Sequence, residues 1–135
     1  MQDYNQKIIE EFRANEGKVG GPFEGATMLL LTHRGRKTGT ERTNPLVTMP
    51  DGGRYIIFAS KGGAPEDPDW YRNIKANSDV TVEVGTDKFE AKAEEVTGDE
   101  RDRLWRKNVS ERPTFGEYEE RTDRVIPVIA IIPRR

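Results

Sequence analysis

Apolar residues recur at two different periods along this chain, and the switches between them mark out its elements. Tyr4, Ile8 and Phe12 fall at helical spacing among charged neighbours, which predicts an amphipathic helix over residues 3–15 that ends near Gly17. After the Gly20-Gly21-Pro22 break, residues 26–33 form an apolar run too short for a typical helix, and it reads as a buried strand. Residues 43–49 read as a second strand, Pro50-Asp51-Gly52-Gly53 as a turn, and residues 54–61 as a third strand through Tyr55, Ile56, Ile57 and Phe58. Residues 62–68 form a loop, and Asp69 stands where it can cap a short helix from Trp70 to about Ala76.

The second half alternates more strictly. Val80, Val82 and Val84, then Phe89, Ala91 and Ala93, are separated by polar residues and flank a Gly85-Thr86-Asp87 turn, the signature of an antiparallel hairpin with one wet face. A helix beginning near Thr97 carries Leu104, Trp105, Asn108 and Val109 and ends at Pro113. Phe115 and Tyr118 lie in a short following segment, and residues 126–132 form a last apolar strand. Trp105, beside Leu104 and Val109, is read as core. About six mostly antiparallel strands with short helices between them predict an α+β, barrel-like sheet in one domain over residues 1–135, with an N-terminal helix or arm over 1–20 and the barrel over 25–133.

Composition narrows the chemistry. With 33% hydrophobic and 34% charged residues, most helical faces should be wet. The absence of cysteine removes disulfides, thiolate metal sites and cysteine nucleophiles, and one histidine, His33, cannot build a metal site, so none is expected. His33 is assigned a structural or ligand-tail role. No apolar segment approaches the ~20 residues of a membrane span, and no N-terminal segment resembles a signal peptide, so the expectation is a soluble, cytoplasmic protein. Weak peripheral contact between the N-terminal helix and a membrane stays open, against the acidic Glu10, Glu11 and Glu16. A net charge of −2 argues against nucleic acid as partner.

Against that acidic background, residues 34–42 hold Arg34, Arg36, Lys37 and Arg42 against the single Glu41, a local net charge of +3. Gly35 and Gly39 free the backbone, while Thr38 and Thr40 supply hydroxyls. Such a loop can hold phosphate or another anion; it can equally be a solvated hairpin tip. Ser60-Lys61-Gly62-Gly63 can let a flat ligand approach the backbone, or can be a strand end and a flexible turn. Trp70 can serve a ligand or anchor the core. The charges of Glu117, Glu119, Glu120, Arg121, Asp123 and Arg124 read as a solvated face.

In order along the chain, Thr32-His33-Arg34-Gly35-Arg36-Lys37-Thr38-Gly39, Arg42-Thr43-Asn44-Pro45-Leu46, Ala59-Ser60-Lys61-Gly62-Gly63, Pro68-Asp69-Trp70-Tyr71-Arg72-Asn73 and Thr122-Asp123-Arg124-Val125-Ile126-Pro127 form a combination that resembles the deazaflavin (F420)-dependent nitroreductase and quinone reductase family. The resemblance covers residues 25–133 and implies a split β-barrel related to that of FMN-binding oxidoreductases, with coenzyme F420 as cofactor. It implies that Arg34, Arg36, Lys37, Thr38 and Gly39 hold the coenzyme's phosphate and acidic tail. Asn44, Pro45, Leu46, Ala59, Ser60, Lys61, Gly62 and Gly63 would line the deazaflavin, and Trp70 and Asn73 would support its tail or ring edge.

The implied reaction is hydride transfer from F420H2 to a small-molecule acceptor: a quinone, a nitroaromatic or an activated unsaturated compound. Ser60 and Tyr118 are the implied catalytic groups, able to hydrogen-bond the ring or the reduced acceptor, and Phe115 and Tyr118 would form the substrate side. The segment Arg112-Pro113-Thr114-Phe115-Gly116-Glu117-Tyr118 departs from the tyrosine-rich pattern of nitroimidazole-reducing members. Phe115 keeps an aromatic wall without a hydroxyl, which suits a flat apolar acceptor such as a quinone. An FMN-dependent reductase on the same barrel and a non-catalytic F420-storage protein are the competing readings, as monomer or homodimer.

Overall fold

The computed structural model describes residues 2–134. Among them, helix α1 (Gln2–Ala14) precedes strand β1 (Met28–Arg34), and β2 (Glu41–Val47), β3 (Met49–Asp51) and β4 (Arg54–Phe58) follow. Helix α2 (Asp69–Ala76), strands β5 (Asp79–Val84) and β6 (Asp87–Val96), helices α3 (Gly98–Glu111) and α4 (Thr114–Glu120), and strand β7 (Val128–Pro133) complete the order. The strands form one sheet in the order β2-β1-β5-β6-β7-β4-β3, and every ladder in it is antiparallel. The sheet curls into the split β-barrel of the expected α+β class.

Burial explains why β1 carries an unbroken apolar run. Leu29 and Leu31 face the barrel interior with Ile57, Val82, Ala91 and Ile131, while Met28 and Leu30 face outward under Ile8, Ile9 and Phe12 of α1. Residues 28–31, covered on both faces, have no position that meets water. Tyr4, placed on the same stripe by spacing, is 47% exposed, and Ile9 takes its place. On the other flank, α3 lays Leu104 and Trp105 over Ile56, Phe58, Val128 and Ala130. Trp70 and Ile74 of α2 pack into the interior cluster and so plug one end of the barrel.

Seven strands appear where about six were expected, because the segment read as one strand over 43–49 bends at Thr48 and gives its last residues to a different neighbour. Thr48 donates its backbone N–H to Thr27 O at 2.9 Å and its hydroxyl to Ile56 O at 2.9 Å. One buried residue thereby joins the two ends of the sheet order and closes the barrel. Pro45 in β2 and Pro50 in β3 fit the same arrangement, since both strands lie at the ends of the order, where a missing N–H breaks no ladder. Thr48→Val keeps the shape but leaves Ile56 O without its side-chain donor. It should cost about 1–2 kcal/mol and lower the melting midpoint by several degrees, read by thermal circular dichroism; an unchanged midpoint would remove Thr48 from the closure.

Candidate functional site

The basic loop is a hairpin tip between β1 and β2, closed by Gly35 N–H to Thr40 O at 2.8 Å and Gly39 N–H to Gly35 O at 2.8 Å. Its hydroxyls partly satisfy each other: Thr38 Oγ1 donates to Thr40 Oγ1 at 3.0 Å. Its cations divide into two kinds. Arg34 pairs with Glu41 at 3.5 Å. Arg36 is tied down, donating from its backbone N–H and its Nη1 to Asn73 Oδ1 at 3.1 and 2.9 Å, with Asp69 at 3.7 Å from its Nη2. Lys37 and Arg42 are exposed and carry no ion-pair partner among the described residues. These two are the cations left to meet an anion, and Arg42 stood outside the set that the motif implied.

Asp69, expected to cap α2, is instead its first residue, with Pro68 at the cap position and no side-chain capping bond. Its carboxylate lies between Arg36 and Arg72, 3.8 Å from the latter. Asn73, 2% exposed, continues inward: its Nδ2 meets His33 Nδ1 at 3.1 Å. His33 Nε2 then meets Asn44 Oδ1 at 2.7 Å. Burial pushes the His33 imidazole below its usual range, against the bond to Asn44 and with the help of nearby Arg42. Asn44, Pro45 and Leu46 lie half-buried on β2, with Leu46 against the barrel core.

The second half of the site begins where β4 ends. Ala59 is fully buried and Ser60 is 8% exposed. Lys61, Gly62 and Gly63 form a 3-10 turn, with Lys61 paired to Glu66 at 3.0 Å. Gly62 faces open space, whereas Gly63 lies directly under the backbone of α4, a Cβ there coming within 2.7 Å of Tyr118 O. Trp70 and Ala59 are core residues in this chain; they shape the site from beneath.

Arg124 corrects the reading of a solvated charged face. Its guanidinium, 14% exposed, donates to Ala64 O at 3.0 Å, Ala59 O at 3.1 Å, Asp67 Oδ1 at 2.9 Å and Ser60 O at 2.8 Å. One fork thus holds the whole 59–67 turn, and its fixed planar geometry is what lets a single side chain do so. The sequence offered one signal for it, the place of Arg124 within the Thr122–Pro127 motif.

Phe115 and Tyr118 stand at 5.4 Å between ring centroids, and Phe115 continues at 5.6 Å to Phe58, the residue before Ala59. An aromatic wall on α4 therefore adjoins the Ser60 turn. Two cavities of about 290 and 390 Å³ are lined by other residues and do not contain that turn. The smaller touches the basic loop only through His33, Arg34 and Glu41. The implied site residues fall into two groups, the basic loop with Asn44 and the Ser60 turn with the aromatic wall of α4.

A family model described as F420H(2)-dependent quinone reductase matches residues 5–133 of this chain. An F420H(2)-dependent quinone reductase of Mycobacterium tuberculosis is 40% identical over 127 residues, spanning 91% of this chain and 85% of the relative. A solved F420-H2 dependent reductase is 40% identical with a TM-score of 0.71, over 78% of this chain and 93% of that one. A second solved structure, described as a domain-swapped dimer, is 35% identical with a TM-score of 0.73, over 96% of this chain and 98% of that one.

Proposed function

The chain belongs to the F420H(2)-dependent quinone reductase family, and from that premise we propose how its residues carry out the reduction of quinones by F420H2. It is an oxidoreductase with coenzyme F420 as cofactor. When bound, the reduced deazaflavin supplies a hydride, and a quinone takes it up with one further proton to leave a hydroquinone. The observation that carries the assignment is the unpaired pair of cations, Lys37 and Arg42, beside a loop whose other two cations are already engaged. That donor set fits a phosphorylated, polyacidic tail.

In this reading Arg36 and Asn73 hold the loop rigid so that Lys37 and Arg42 meet the tail without first being ordered. Asn44 and the exposed backbone at Gly62 meet the ring, and the Ser60 hydroxyl orients it. Phe115 and Tyr118 exclude water from the acceptor side, and the Tyr118 hydroxyl donates to the oxygen on which charge develops. A quinone suits that aromatic wall better than a polar nitro compound. Residues 25–133 form the catalytic barrel and residues 1–20 an arm upon it, in a cytoplasmic homodimer whose contact with membranes is at most weak and peripheral. Light scattering reads the assembly.

The test is F420H2 oxidation against a panel of quinones and nitroaromatics, with FMN and NADPH as controls. Turnover with F420H2 alone, from protein purified without colour, supports the reading. Yellow protein that turns over with FMN overturns the cofactor assignment, and binding without turnover leaves a storage protein. Lys37→Ala with Arg42→Ala should weaken F420 binding roughly tenfold and flatten its salt dependence. Unchanged affinity and salt slope would refute the anion role of the loop.

A further inference from the structure

Hydrogen positions in the chain from Arg36 to Asn44 follow from one donor whose identity admits no alternative. The backbone N–H of Arg36 points at the side-chain end of Asn73 at 3.1 Å. The atom that receives it, and receives the guanidinium at 2.9 Å, must be the amide oxygen. The other end of Asn73 is then N–H2, and it faces His33 Nδ1 at 3.1 Å. Nδ1 must therefore be the bare, accepting nitrogen, and the ring proton sits on Nε2. Nε2–H in turn donates to Asn44 at 2.7 Å, so the atom there is the amide oxygen. Every link has one donor and one acceptor, and each polarises the next.

The outcome at the far end is chemical. With its oxygen turned to His33, the Asn44 amide has one orientation, and its N–H2 group has no partner among the described residues. We propose that His33 is a positioning residue which fixes the orientation of the Asn44 amide with its N–H2 group free, so that this side of the site selects a ligand edge bearing an acceptor oxygen, such as a ring carbonyl of the deazaflavin. The inference deepens the reading under Proposed function and rests on it for the identity of the ligand. The same chain ties the Asn44 orientation to the Arg36 clamp, so a change at the basic loop is felt at the ring.

His33 is the only histidine in the chain, so nitrogen-15 labelled imidazole gives an unambiguous NMR signature in the free protein at neutral pH. Proton-bearing Nε2 and bare Nδ1 are expected; the Nδ1–H tautomer or an imidazolium overturns the proposal. In F420 titrations, His33→Leu should bind roughly three- to tenfold more weakly, the size of one lost hydrogen bond. Asn44→Ala should fall in the same range, and His33→Gln, which keeps an N–H2 and an oxygen, should recover part of the loss. Leu and Ala variants that fold and bind like the parent overturn the proposal even if the tautomer is as expected. Should the parent itself bind no F420, the functional reading falls, and the NMR signature on the same sample still decides the state of His33.

Discussion

Arg124→Ala is expected to bind F420 at least about tenfold more weakly than the parent and to melt several degrees lower. The reason is the number of groups left behind. Ala59 O, Ser60 O and Ala64 O all accept from this one guanidinium, and Asp67 pairs with it. Its removal strands the carbonyls of Ala59 and Ala64 and the Asp67 carboxylate in a partly buried turn, and leaves Ser60 O with the Gly63 N–H alone. At about 1–3 kcal/mol for each orphaned buried group, discounted for partial exposure, the total comes to about 3 kcal/mol. The turn would then open to water, and Ser60 and Gly62 would lose their fixed place against a ring. Arg124→Lys keeps the charge beside Asp67 but replaces a planar fork by a point charge, so it should recover only part of both losses. F420 fluorescence titration with thermal melts of all three proteins reads the result. Affinity within twofold of the parent in the alanine variant would show that coenzyme binding does not depend on the turn.

Gly63→Ala should be among the most damaging glycine substitutions in the chain. Gly63 has φ +83, and an added Cβ would lie 2.7 Å from Tyr118 O, 2.9 Å from Arg121 Cβ and 3.1 Å from Tyr118 Cα. The left-handed backbone costs about 1–2 kcal/mol for a residue with a Cβ. The overlap adds about 1–3 kcal/mol, because it is largely with backbone and is relieved by separating α4 from the turn. That movement carries Phe115 and Tyr118 away from the Ser60 turn. The expected signature is therefore a split: kcat/KM for quinones falls by roughly tenfold or more, while F420 affinity changes little. Gly62→Ala is the matched control for stability, with φ +63 but no atom near the new methyl. Equal destabilisation of the two variants would show that the α4 contact contributes nothing.

These effects separate what local pattern reveals from what it hides. Periodicity placed β1, the β5–β6 hairpin and α3 within a few residues, because burial imposes its period wherever one face is covered. It mistook the strand over 43–49, because the bend at Thr48 is set by barrel closure and not by the residues around it. The charge count found the basic loop but could not tell engaged cations from available ones. Arg36 looks the same as Arg42 until Asn73, 37 positions away, is brought beneath it.

The sequence by itself determined the class of fold, the family, and hence the coenzyme and the reaction. Those rest on local spacing and on short motifs that stay together along the chain. Tertiary structure decided the division of labour: Arg124 as the fork under a turn 64 positions earlier, His33 as the link from Asn73 to Asn44, and Gly63 as the seat of α4. The physical reason is common to all three. A hydrogen bond or a close contact is specified by where two groups meet in space, and a polar residue's sequence neighbours do not record whether its partner will be water or a carbonyl folded back from the other end of the chain.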